Sequence, residues 1–250
     1  MPLDDLFVRW LDALDTRHFA DLRVQEVTRA LRALSSVYVE RRDALAKGAA
    51  LDSTGKRVAF ALFYGPLHYL VTGEIVKALG ASEVPPGGVI DLGCGTGAAG
   101  AAWAMASGGR CRVLGLDRHP WAVAEACWTY RAFGLEGFAR EDEAGRARLP
   151  DRPAAIVAGF AVNELRDVGR DALLHRLLAV ARRGSRVLIV EPIAKPTGGW
   201  WDRWADAFRA GGGREDTWRF EANLPERLRL LDRAAGLDHR VLTARTLYIQ

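Results

Sequence analysis

The stretch Val89-Ile90-Asp91-Leu92-Gly93-Cys94-Gly95-Thr96-Gly97 decides how the rest of the chain is read. Two β-branched residues and a carboxylate close a buried strand. Three glycines then alternate through a tight turn, and Ala98 to Met105 reads as a helix. Glycine serves where a chain turns sharply or where a ligand approaches the backbone closely. The helix start that follows offers free N–H groups to a polar ligand. The pattern supports a nucleotide-like cofactor lying across a strand-to-helix turn; a glycine-rich turn without a ligand is the plainer alternative.

Gly95-x-Gly97-x-x-Gly100 also fits the dinucleotide fingerprint. Asp91 speaks against it, because a pyrophosphate on this turn would face a carboxylate at the mouth of the strand. A cofactor with a cationic amino acid end would be attracted instead. Asp91-Leu-Gly-x-Gly-x-Gly97 resembles the first motif of class I S-adenosylmethionine-dependent methyltransferases, a more specific pattern than a lone GxGxxG.

The chain has 250 residues, 49% of them apolar, which is enough for one large domain or a core with an accessory lobe. No run reaches the roughly 18–20 apolar residues of a membrane span. Asp4 and Asp5 stand where a secretory signal would be basic. Cys94, Cys111 and Cys127 lack CxxC spacing, so neither a disulfide framework nor a zinc site is expected. A cytoplasmic location follows as an expectation. The net charge of +4 permits nucleic acid binding without requiring it; scattered arginines on solvated helix faces account for most of the excess.

Leu3, Leu6, Phe7, Trp10, Leu11 and Leu14 repeat at helical spacing, with Asp4 and Asp5 in the first turn. A second helix is expected over 19–42, with Leu22, Val27, Leu31 and Leu34 inward. A third is expected over 56–79, bent at Pro66. Residues 1–80 thus read as an all-helical lobe. Pro85-Pro86-Gly87-Gly88 separates it from residues 81–250, where strands and helices alternate as in a Rossmann-like α/β sheet. Strands are expected at 112–117, 137–142, 154–159, 186–191, 216–221 and 239–249, and a helix over 226–235. The segment after Pro192, dense in glycine and tryptophan, reads as irregular.

Acidic residues at strand ends border the ligand crevice of such a sheet. Asp117, 26 residues after Asp91, is placed to bind ribose hydroxyls, with a helix N-cap as the alternative. Asp91 is placed to orient amides or hold an ammonium. Gly93, Cys94, Gly95 and Gly97 cradle the cofactor, and Arg118 stands beside it. Asp142 can accept from an adenine amino group, in competition with Glu141 and Glu143. Asn163 and Glu164 follow the fourth strand on the acceptor side, as a holding group and a base, or as helix caps. No NPPY-type tetrapeptide is present. Tyr64 and His68 are candidates to close over the cofactor, or core residues. Trp200, Trp201, Trp204 and Trp218 read either as a stacking wall for a planar acceptor or as packing between lobes.

Several further pieces are similar to the Rsm22-like branch of methyltransferases, whose members are associated with the small ribosomal subunit. They are Leu34-Ser35-x-x-Tyr38, Ala59-Phe60-x-x-x-Tyr64-Gly65-Pro66, Glu164-Leu165, Val190-Glu191-Pro192, and Asp216-Thr-Trp218-Arg-Phe220 before Leu224-Pro225. The resemblance implies S-adenosylmethionine as cofactor and the ribosome as a partner. It departs in one respect: that branch carries four cysteines, holding an iron–sulfur cluster or other metal, in the region matching 195–220, and this chain has no cysteine after Cys127. No metal is therefore expected. The acceptor expected is a nitrogen or oxygen, less so carbon, of a small or planar molecule. Ribosomal RNA as acceptor, or a catalytically silent ribosome-associated factor, is the alternative.

Overall fold

The computed structural model describes residues 5–19, 24–40, 51–193 and 199–250. The chain forms two compact units, Met1–Leu67 with Arg219–Leu242, and His68–Trp218 with Thr243–Gln250.

In the first unit, α1 (Asp5–His18) buries Phe7, Trp10, Leu11 and Leu14, the stripe its spacing predicts. Asp5 in its first turn and Arg17 and His18 in its last complement the helix dipole. Helix α2 (Val24–Glu40) buries Val27, Leu31 and Leu34 completely. The expected inward Leu22 lies outside the described residues. Helix α3 (Thr54–Ala59) is capped by Ser53, whose hydroxyl accepts the Lys56 N–H.

The bend expected at Pro66 takes a particular form. Residues Phe60–Tyr64 make a π-helical turn, in which the Gly65 N–H reaches back to the Phe60 carbonyl, and α4 (Gly65–Ala78) follows without a break. Proline lacks an N–H and presses on the carbonyl four residues earlier. Widening the preceding turn to an i→i+5 pattern absorbs that misfit.

The second unit is built on β1 (Val89–Leu92), α5 (Ala98–Ala106), β2 (Val113–Asp117), α6 (Pro120–Ala132), β3 (Gly137–Glu141), β4 (Ala155–Gly159), α7 (Asp167–Ala181), β5 (Arg186–Glu191) and α8 (Trp200–Ala210). Strands β6 (Arg214–Glu221) and β7 (Val241–Ile249) complete the sheet, with α9 (Glu226–Ala235) between them in sequence. The strand order is β3-β2-β1-β4-β5-β7-β6. Strands β3, β2, β1, β4 and β5 are parallel, and β7 runs antiparallel to β5. Because β1 pairs with both β2 and β4, the chain reverses its winding there, and the crevice at the carboxyl ends beside β1 is the place for a ligand.

The segment expected to be irregular contains α8. Trp200, Trp201, Trp204, Ala205 and Phe208 recur on one helix face and enter the core with Leu92, Ile156, Ile189 and Leu247. Among the described residues, no helix is long and apolar enough to cross a membrane.

Candidate cofactor and acceptor site

The first wall of the site is the turn after β1. Gly93, Gly95 and Gly97 all have positive φ, at 68°, 51° and 76°. At Gly97 a side chain is excluded twice, since a Cβ would also lie 2.8 Å from the Tyr130 ring and 3.0 Å from Ala126. Gly100, the last glycine of the apparent dinucleotide fingerprint, has a different purpose. Its N–H donates to Asp91 Oδ2 at 2.8 Å, and a Cβ there would sit 2.9 Å from that same oxygen. The glycine makes room for the carboxylate. Asp91 is 1% exposed, its Oδ1 has no hydrogen-bond partner among the described residues, and burial pushes its carboxyl up to about 7. Cys94 is buried in the same turn, which raises its thiol well above the usual range.

Asp117 closes β2. Its Oδ2 accepts the Gly95 N–H at 2.9 Å and its Oδ1 accepts the His119 N–H at 2.9 Å. The N-cap of α6 is His119, whose Nδ1 accepts the Trp121 N–H at 3.1 Å, with Pro120 as first helical residue. Asp117 is thus bound to the glycine turn, and each of its oxygens retains a lone pair. Asp142 is tied to it through the backbone, its N–H donating to the Asp117 carbonyl at 3.0 Å. The Asp142 carboxylate accepts the Glu143 N–H and stands 3.5 Å from Arg140, whereas Glu141 and Glu143 are exposed. Arg118 is also exposed and reaches to 3.9 Å from Glu164.

These residues fit a cofactor with an ammonium, a ribose and an adenine. The buried Oδ1 of Asp91 lacks a donor among the described residues, Asp117 has unused acceptor capacity, and Asp142 adjoins Asp117.

The second wall begins at Phe160, directly after β4, with φ of 59° and its N–H donating to the Val190 carbonyl at 2.7 Å. A positive φ is uncommon for an aromatic residue and marks a backbone held by its surroundings. The His68 ring stacks on Phe160 with centroids 4.0 Å apart and planes 13° apart. Burial pushes His68 down to about 3, so its ring is neutral. The next residue, Ala161, packs on the glycine turn so closely that a Cβ at Gly93 would lie 2.6 Å from it.

Asn163 and Glu164 occupy the 3₁₀ turn Val162–Glu164. Asn163 is held from both sides. Its N–H and Nδ2 donate to the two oxygens of Glu191, at 3.1 and 2.6 Å, and its Oδ1 accepts from Trp200 Nε1 at 3.0 Å. Burial pushes the Glu164 carboxyl up to about 8; Arg118 opposes the shift, and Asp117 and Glu191 add to it. Glu191, at the end of β5, is fully buried and pushed up to about 7 by that burial, against the hydrogen bonds from Asn163 and the charge of Arg245.

Three of the four tryptophans are core residues rather than a stacking wall. Trp200, Trp201 and Trp204 are 1%, 2% and 0% exposed and pack edge to face on one another, so no ring face is left for a ligand. Arg245 covers the Trp201 ring at 3.9 Å, and Glu215 accepts its Nε1–H at 2.6 Å. Trp218 donates to Thr246 at 2.9 Å. Tyr64 belongs to the first unit, with its ring against Phe60 and Phe63 and its hydroxyl bonded to Ser35. Sequence reasoning missed Phe160, Arg245 and the role of Glu191. Of these, Glu191 carried a usable signal, because it is an acidic strand end like Asp91 and Asp117.

A sheet in this order, with an antiparallel β7 inserted beside β5 and acids at the ends of β1 and β2, is a Rossmann-like α/β sheet. Solved structures to which the chain is similar include a TehB-like methyltransferase from Corynebacterium glutamicum, at 17% identity over 87% of this chain and 99% of that one, TM-score 0.45. A methyltransferase from Aquifex aeolicus shares 18% identity over 69% and 87%, TM-score 0.46. The [4+2]-cyclase SpnF shares 16% over 73% and 80%, TM-score 0.48. No protein-family model and no curated protein matches the chain.

Proposed function

We propose that this protein is an S-adenosylmethionine-dependent methyltransferase acting on a nitrogen or oxygen of a small or planar acceptor. The observation that carries the reading is the pair Asp91 and Asp117. They bracket the glycine turn, each with hydrogen-bonding capacity left over, while Glu164 stands on the turn after β4. When bound, the cofactor supplies a methyl group made electrophilic by its sulfonium. Asp91 receives the ammonium of the amino acid end, Asp117 the ribose hydroxyls and Asp142 the adenine amino group, with Arg118 alongside. The Phe160–His68 pair offers a flat apolar surface to a planar acceptor. Glu164, whose carboxyl is pushed up to about 8, takes the proton that the acceptor atom sheds.

The alternative keeps the fold and makes the acceptor ribosomal RNA, or makes the protein a silent ribosome-associated factor. The motifs around Tyr64-Gly65-Pro66 and Val190-Glu191-Pro192 favour it. Transfer of labelled methyl into a cell extract, separated into small molecules, RNA and protein, decides between the readings. Label among small molecules supports the proposal, and label in RNA supports the alternative. Bound cofactor without label anywhere supports the silent factor.

A further inference from the structure

Glu191 is a fully buried strand-end carboxylate to which the proposed chemistry assigns no role, and its surroundings are unusually directional. Trp200 Nε1 is only a donor, so the Asn163 amide must turn its oxygen toward Trp200 and its nitrogen toward Glu191. Glu191 then meets two donors of Asn163, its N–H at 3.1 Å and Nδ2–H at 2.6 Å, besides the Val162 N–H, and needs an acceptor on each oxygen. A carboxylate meets that need and a carboxamide does not. The carboxylate is fully buried, with Arg245 as its register partner on β7. Such a residue is costly for packing alone, since burying a charge is repaid only where its bonds are used. What it holds is the turn Val162–Glu164. Asn163 keeps one Nδ2 hydrogen and one Oδ1 lone pair beyond these bonds, and Glu164 follows directly.

We propose that Glu191 is the positioning residue of the acceptor site, its two oxygens fixing Asn163 and, through it, the placement of the Glu164 carboxyl. The inference rests on the methyltransferase reading. It differs from a packing role because the polarity of the chain Trp200–Asn163–Glu191 matters, beyond its volume.

That polarity can be reversed. In Glu191→Gln the two donors of Asn163 compete for one oxygen. In Asn163→Asp two carboxylates face each other with a donor missing. When both substitutions are combined, the carboxylate now at position 163 accepts from Trp200 and from the new amide at position 191. The backbone N–H of position 163 reaches the oxygen of that amide, so the three bonds that link Trp200, position 163 and position 191 are again made.

The test uses the full chain, labelled methyl transfer into cell extract, calorimetric binding of S-adenosylhomocysteine, and the indole N–H signal of Trp200. That signal is identified as the one lost in Trp200→Phe. Each single variant is expected to lower transfer by roughly 10- to 100-fold, the loss expected from a misplaced group, with product affinity unchanged and the Trp200 signal shifted. The combined variant is expected to regain most of the transfer and the original signal. Full transfer by Glu191→Gln, or a combined variant no better than the single ones, overturns the inference. A wild-type protein that neither binds S-adenosylhomocysteine nor transfers label overturns the underlying reading, and shows it before any variant is made.

Discussion

Asp91 and Gly100 account for each other: the carboxylate needs a backbone N–H in the core, and only a residue without a side chain lets it approach. What looks in sequence like the third glycine of a pyrophosphate site is room for an acid. Asp91 stood out in the sequence because an acid inside an apolar strand is costly without a partner. Its bond to Gly100 was not, since it depends on how α5 is set against β1. Asp117 stood out for the same reason, and the cap of α6, its alternative role, fell to His119, two residues on. Replacing Asp117 by alanine removes a charged acceptor from both the Gly95 N–H and the proposed ribose. Calorimetry should show S-adenosylhomocysteine binding weakened by about 1–3 kcal/mol. An unchanged dissociation constant would remove Asp117 from the site.

At the scale of elements, the strands of the parallel sheet were readable from their apolar runs, and α1 and α2 from their stripes. Helix α8 was not read, because glycines flank it and its tryptophans suggested a ligand surface. Its spacing of 200, 201, 204, 205 and 208 is that of a buried helix face, and the rings fill the core. Trp204→Ala is therefore expected to cost about 3–5 kcal/mol in denaturant unfolding. Two milder changes separate packing from bonding. Trp204 Nε1 has no partner among the described residues, whereas Trp200 Nε1 bonds Asn163. Trp200→Phe should thus cost about 0.5–1.5 kcal/mol more than Trp204→Phe. Equal losses would mean that the Trp200 bond contributes nothing to stability.

For the whole molecule, the sheet gathers acids at one end, and their burial has a pH signature. Asp91 and Glu191 are pushed up to about 7 and Glu164 to about 8, each above its value in an unfolded chain. The native state then binds more protons than the unfolded one up to that range, so these groups' contribution to stability is lost as pH rises through 7 to 8. His68, pushed down to about 3, works in the opposite sense, but only below its unfolded value near 6.5. Denaturant midpoints of the ligand-free protein should accordingly fall between pH 6.5 and 8.5. A rise over that window would mean that the acids are solvated or paired.

The central claim is that the crevice beside β1 holds S-adenosylmethionine. Calorimetric titration of the full chain with S-adenosylhomocysteine and, separately, with NAD tests it most directly. The account predicts saturable binding of S-adenosylhomocysteine and none of NAD, because the pyrophosphate would meet the Asp91 carboxylate at the glycine turn. Binding of NAD with no binding of S-adenosylhomocysteine would contradict it.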